Sequence, residues 1–176
     1  MNTDHPPHFL DFEASGLGVL GFPIEVAWGN VDGVMECWLI RPDARWHLEV
    51  GWEPVAEGIH GIRREQLAEA GADTVWIAER MNAQLAGAVV YVDGLPYDRL
   101  WLEQLFQSAG ITPTFELANF DELLYAVAPP TQTYRRGWME QLRAVAVGRL
   151  KGLHWHRADN DVRRLIEMYR IAAARR

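Results

Sequence analysis

The first third of the chain is built from short runs with a period of two, and the rest from longer runs with a helical period. His8–Glu13 alternates and ends in Asp11-Phe12-Glu13, which predicts a buried strand. Pro23–Gly29 and Val34–Ile40 predict two more, joined by Asn30-Val31-Asp32-Gly33 with an Asp-Gly turn at its end. These three runs form an antiparallel meander. Pro42–His60 reads as a loop holding Trp46 and Trp52. Arg63–Ala70 predicts a short helix, and Asp73-Thr74 can cap a second through about Leu85. Ala88–Val92 is wholly apolar and suits a strand inside a sheet. Tyr97–Ala109 is helical, with Gly110 as its stop, and Thr112–Leu117 is a fifth strand. Helices follow at Phe120–Val127, ended by Pro129-Pro130, at Gly137–Val147, and from about Asn160 to Ala174. The last carries Val162, Leu165, Ile166 and Tyr169 at helical spacing. The order β-β-β-α-β-α-β-α-α predicts an α/β fold. Its mixed five-stranded sheet combines the meander with parallel strands and is flanked by helices.

Composition narrows the class. A chain of 176 residues is expected to form one domain over 1–176 with a substantial core. The apolar fraction of 49% is ordinary for a soluble protein, and no apolar run approaches the roughly 18 residues that span a bilayer. Met1–His8 is polar, with neither a basic region nor an apolar signal segment, so a cytoplasmic protein is expected. The single cysteine, Cys37, excludes an intramolecular disulfide and a cysteine-based zinc cluster. The net charge of −7 argues against nonspecific nucleic-acid binding by the whole surface. Residues 135–176 nevertheless carry 11 basic and 4 acidic side chains, against 6 and 20 in residues 1–134. That asymmetry fits either a local anion-binding face or an arginine-rich solvated helix.

The acidic residues then change the picture. Asp11 and Glu13 project from the same face of a strand, opposite Leu10 and Phe12. Two adjacent anions repel unless protons or a cation neutralise them. Asp98 lies at a helix start, where the helix dipole alone would favour it, and Asp93 at the preceding strand end is a rival for the same role. Gly152–Asp161 holds two overlapping His-x4-Asp registers, His154 with Asp159 and His156 with Asp161. Asp159 or Asn160 is placed to cap the last helix, which leaves Asp161 in the first turn facing the sheet and favours His156 with Asp161. Converging carboxylates make a hard, oxygen-rich site suited to Mg²⁺ or Mn²⁺. Two such ions stabilise the attacking and leaving oxygens of a phosphoryl displacement, and a nearby histidine can take the proton of an attacking water.

In these motifs the chain resembles the DEDDh branch of the DEDD exonuclease superfamily, the family of ribonuclease T, oligoribonuclease and bacterial proofreading subunits. Asp11-Phe12-Glu13-Ala14-Ser15-Gly16-Leu17 is similar to the first exonuclease motif, and Tyr97-Asp98-Arg99-Leu100-Trp101-Leu102 to the second. His156-Arg157-Ala158-Asp159-Asn160-Asp161 is similar to the third, His-x-Ala-x-x-Asp, and its Ala158 selects the His156/Asp161 register. Ile59-His60-Gly61-Ile62 is similar to a stretch common in these nucleases, with His60 shaping its turn. The resemblance implies a ribonuclease H-like fold and a 3′→5′ exonuclease with two divalent metal ions, Mg²⁺ or Mn²⁺. It implies Asp11, Glu13, Asp98 and Asp161 as metal ligands, Asp98 largely through water, and His156 as general base. Ala14, Ser15, Gly16 and Leu17 would meet the terminal nucleotide, with Leu17 as a wedge against its base. Two positions depart from the family pattern: Ala14 replaces a frequent Thr, and Gly94 a frequent Asn.

The acidic bulk favours short single-stranded nucleic acid or 3′ ends over long duplex, and a homodimer is left open. Of the eight tryptophans, Trp28, Trp38 and Trp101 are expected in the core. Trp155, beside His156, either packs over its loop or stacks on a nucleobase for about 1–3 kcal/mol. Two other functions fit the same residues. One is a nuclease-like module used for binding or assembly, and the other a hydrolase of small phosphoesters.

Overall fold

The structure is a computed structural model describing residues 6–18, 20–128, 136–153 and 155–174. Strands β1 (His8–Ala14), β2 (Pro23–Asn30) and β3 (Met35–Leu39) form the expected meander. Helices α1 (Pro54–His60), α2 (Arg64–Ala70) and α3 (Thr74–Leu85) lead to β4 (Val89–Val92) and α4 (Leu95–Ala109). Then come β5 (Glu116–Asn119), α5 (Phe120–Val127), α6 (Trp138–Arg149) and α7 (Ala158–Ala173). The sheet order is β3-β2-β1-β4-β5, with β1 antiparallel to β2 and parallel to β4. The proline stop at 129–130 and the rival residue His154 lie outside the described residues. Among the described residues no helix is long and apolar enough to cross a membrane.

Alternation along β1 divides the core. Phe9 packs with α5, α6 and α7 on one side of the sheet, while Leu10 and Phe12 pack with α3 and α4 on the other. Complete burial of a side chain such as Phe9 stabilises the fold by roughly 1.5–3 kcal/mol. Asp11 and Glu13 share the Phe9 side by the same period of two. Trp28 and Trp101 are buried as expected, whereas Trp38 is half-buried against Trp76, 4.6 Å between ring centroids.

Three expectations are corrected. The segment Pro42–His60 is not all loop: Pro54 opens α1 in its first turn and Gly61, at φ 70°, ends it in the left-handed conformation. The fifth strand is shifted to Glu116–Asn119, paired with Val89–Val92. The preceding Thr114 instead gives its N–H to Asn82 Oδ1 on α3, at 2.9 Å. Neither Asp159 nor Asn160 caps the last helix. The N-cap is Arg157, and the carboxylate that receives the first helical amide, Ala158 N–H, comes from Glu25 on β2 at 2.9 Å. The Asp73 cap is present, accepting from Val75 N–H at 2.9 Å.

A third cluster, Phe22, Ile24, Trp52, Ile62 and Leu67, fixes the segment after β1 against α1 and α2. Gly51 is at its tightest point, since a Cβ there would lie 2.1 Å from the Leu20 carbonyl oxygen. Gly51→Ala is therefore expected to destabilise the protein by about 2–3 kcal/mol, read as a lowered midpoint in urea denaturation. An unchanged midpoint would show that this seam is loose.

Candidate active site

The site forms where the sheet opens. β1 and β4 pair only at His8↔Val90 and Phe9↔Tyr91, so the carboxyl end of β1 runs on without its parallel neighbour. Crevices of this kind, at the carboxyl ends of strands, are where α/β sheets bind ligands. The start of α4 borders the opening. Asp98 is only 4% exposed, and the nearby backbone amides of Phe12 and Gly94 favour its charged form. A Cβ at Gly94 would lie 3.0 Å from Asp98 Oδ2, so the departure from Asn at this position leaves room for the carboxylate.

From the other side comes α7. Asp161, in its first turn and 4% exposed, accepts from His156 N–H through Oδ2 at 3.0 Å. Its Oδ1 is 2.6 Å from Arg164 Nη1. Glu13, His156 and Asp161 each offer a ligand atom, and these lie within 4.8 Å of one another. The His156 side chain is exposed and its backbone is left-handed, φ 61°. Among the described residues it alone adopts positive φ without being glycine. Asp93, the rival of Asp98, sits behind the cluster and pairs with Arg164 at 2.9 Å.

The acids act on one another's charge. Burial raises the Asp11 carboxyl well above its ordinary range, and Asp98, Asp161 and Glu13 raise it further. Glu13 is pushed up from 4.5 to about 8 by burial, then by Asp161 and Glu25, with Arg157 opposing. Asp98 also rises to about 8, through burial and the charge of Asp93. Burial raises Asp161, while Arg164 and His156 pull it back. A set of carboxylates with one imidazole, short of positive charge, suits Mg²⁺ or Mn²⁺.

The loop after β1 is divided in its use. Ala14 is half-buried at a register shift. Ser15 is fully buried, its hydroxyl donating to Gly51 O at 2.8 Å and accepting from Phe22 N–H at 3.0 Å. That leaves its side chain no free face for a ligand. Gly16 is backed by Glu53, which also accepts from Gly18 N–H at 3.1 Å. Leu17 is 67% exposed and Trp155 half-buried. His60 is buried, and its Nδ1 accepts from Ile62 N–H at 3.0 Å, which shapes the turn.

Sequence reasoning missed Glu25, Glu53, Arg157 and Arg164. Glu25 left a trace as the lone charge in an apolar strand, and Arg164 as a cation three residues after Asp161. The arginines of the basic region are largely paired internally. Arg143 and Arg164 face Asp93, Arg149 faces Glu167, Arg157 faces Glu25, and Arg163 faces Asp159. Among the described residues, five arginines of this region are thus engaged with carboxylates of the same chain.

The sequence matches no protein-family model and no curated protein. The fold does have solved counterparts among structures of Exonuclease I. Exonuclease I of E. coli in complex with a dT13 oligonucleotide superposes with a TM-score of 0.71 at 17% identity, covering 96% of this chain and 41% of that one. The zinc-bound form of the E. coli enzyme with single-stranded DNA gives 0.69 at 18% identity, covering 98% and 41%. Exonuclease I from Methylocaldum szegediense gives 0.64 at 19% identity, covering 93% and 40%. The chain therefore has the ribonuclease H-like fold of these Exonuclease I structures and spans about two fifths of their length.

Two outcomes follow from the charges and the backbone. In the metal-free protein, the raised carboxyls hold protons that the unfolded chain has already released near neutrality. Stability therefore falls as pH rises toward and through about 8. Glu36, held near 2 by Arg80, and Asp43, held low by Arg45, titrate below this window. Melting in chelator should show a lower midpoint at pH 8.5 than at pH 6.5. Asp11→Asn should recover about 1–2 kcal/mol at the higher pH. A rising midpoint would contradict the cluster. At His156, glycine should be tolerated better than alanine by about 1 kcal/mol in thermal melts, because φ is positive.

Proposed function

We propose that this chain is a metal-dependent 3′→5′ exonuclease that releases nucleotides from the end of single-stranded DNA or RNA. The observation that carries this is the grouping of Glu13, His156 and Asp161 within 4.8 Å of one another beside β1, with the Asp11 carboxyl raised by the charges of Asp98, Asp161 and Glu13. Asp11, Glu13 and Asp161 would hold divalent metal, Mg²⁺ or Mn²⁺, and Asp98 would support a second ion from the side of α4. When bound, such ions supply charge stabilisation for the phosphorane-like transition state of phosphodiester hydrolysis.

The chain's own groups do the rest. His156, exposed beside Glu13 and Asp161, takes the proton of the attacking water, a task suited to imidazole near neutral pH. Water adds to phosphorus as the bond to the penultimate O3′ breaks. The products are a nucleoside 5′-monophosphate and a strand shortened by one nucleotide. Exposed Leu17 would meet the terminal base, and half-buried Trp155 would stack on a base. Ser15 and Gly16 act by shaping the backbone there rather than by side-chain contact. The single-stranded DNA in the Exonuclease I structures supports a single-strand substrate.

The test uses 5′-labelled single-stranded oligonucleotides of DNA and RNA with Mn²⁺. Stepwise loss from the 3′ end is expected, and His156→Ala should slow it by about 10²–10⁴-fold. Asp11→Ala should abolish it. Absence of shortening with every divalent metal tried, or equal turnover of a small phosphoester, would overturn the proposal.

A further inference from the structure

The backbone of His156 is left-handed, yet the residue is not glycine and ends no helix. Something must hold it there. Its own N–H is taken by Asp161 Oδ2 at 3.0 Å. The next residue, Arg157, is extended at φ −129° and sends a two-pronged guanidinium to Glu25. Glu25 also accepts Ala158 N–H at 2.9 Å. It is 1% exposed and sits on β2 directly across from Glu13.

A helix start needs none of this. A Ser, Asp or Asn at the N-cap would satisfy the first amides locally. Here the N-cap arginine makes no cap bond, and the carboxylate is brought in from another element. The chain between Trp155 and Ala158 is thereby fixed at both ends, and the turn falls on His156. A buried ion pair is a poor source of stability but can specify a geometry. Asp161 has its own anchor in Arg164, at 2.6 Å.

We propose that the Glu25–Arg157 pair is a positioning clamp for His156, resting on the assignment of His156 as the base of the proposed hydrolysis. Arg157 is then a positioning residue: it acts on the rate through His156 and leaves the metal ligands in place.

The experiment replaces both partners at once, Glu25→Gln with Arg157→Gln, which removes the pair and keeps the net charge. Steady-state kinetics on a single-stranded oligonucleotide should show kcat lower by about 10-fold, with KM and calorimetric Mn²⁺ affinity within about 2-fold. In a His156→Ala background the same replacement should change nothing, since the clamp has no base left to position. Unchanged kcat, an equal loss in that background, or a 10-fold fall in Mn²⁺ affinity would overturn the proposal. Should the double replacement not fold, Arg157→Lys keeps the charge but not the fork, and should give a smaller loss with the same dependence on His156. Amide exchange at His156 and Ala158 reads the clamp without catalysis and should quicken about 10-fold when the pair is removed. An inactive wild-type protein with that quickening would overturn the exonuclease assignment alone. Unaltered exchange would overturn the clamp.

Discussion

Mutual repulsion among Asp11, Glu13, Asp98 and Asp161 is the constraint around which this end of the fold is arranged. Each carboxylate is held against its neighbours by something outside the cluster. Strand alternation fixes Asp11 and Glu13 on one face. The first turn of α4 carries Asp98, and His156 N–H with Arg164 holds Asp161. The hydrophobic core supplies the rigidity for this. Phe9 ties β1 to α5, α6 and α7 on one side, and Leu10 with Phe12 ties it to α3 and α4 on the other. The carboxyl end of β1, beyond its pairing with β4, is therefore held between two packed layers.

Most of the sheet was legible because its signals are local. Alternation in His8–Glu13 and the Asp-Gly turn at residues 32–33 need no knowledge of distant contacts. The shifted fifth strand was not legible, because the segment before it is tied to Asn82 on α3. Among the described residues, His156 and Asp161 lie with Glu13, but part of the reason for choosing their register fails. Asp159 was expected to cap α7, whereas the capping carboxylate is Glu25, distant along the chain. Asp98 illustrates the converse. A helix-start position seemed to explain it, yet the dipole argument applies to a surface residue, and Asp98 is buried against β1.

The arginine-rich region has a structural meaning that a charge count could not reveal. A tally of charges separates residues 135–176 from the acidic remainder, while the fold sets Arg143 and Arg164 against Asp93 and Arg157 against Glu25. Arg157 and Arg164 are the members nearest the site, and both meet carboxylates at its rim, Glu25 and Asp161. The region is better understood as counter-charge for an acidic crevice than as a track for a polyanion.

That counter-charge stops short of the centre. Arg157 offsets the pressure on Glu13, and Arg164 offsets that on Asp161. For Asp11, every major charged influence is another carboxylate. A fold that places two arginines at the edge of a carboxylate cluster could have placed one at its middle and removed the strain. Leaving Asp11 without such a partner keeps the middle available to a charge that arrives and departs. A divalent ion meets that requirement, whereas a fixed guanidinium would occupy the space that the proposed hydrolysis needs for a phosphate oxygen. The uncompensated aspartate is thus the strongest electrostatic argument for catalysis over a purely structural acidic pocket.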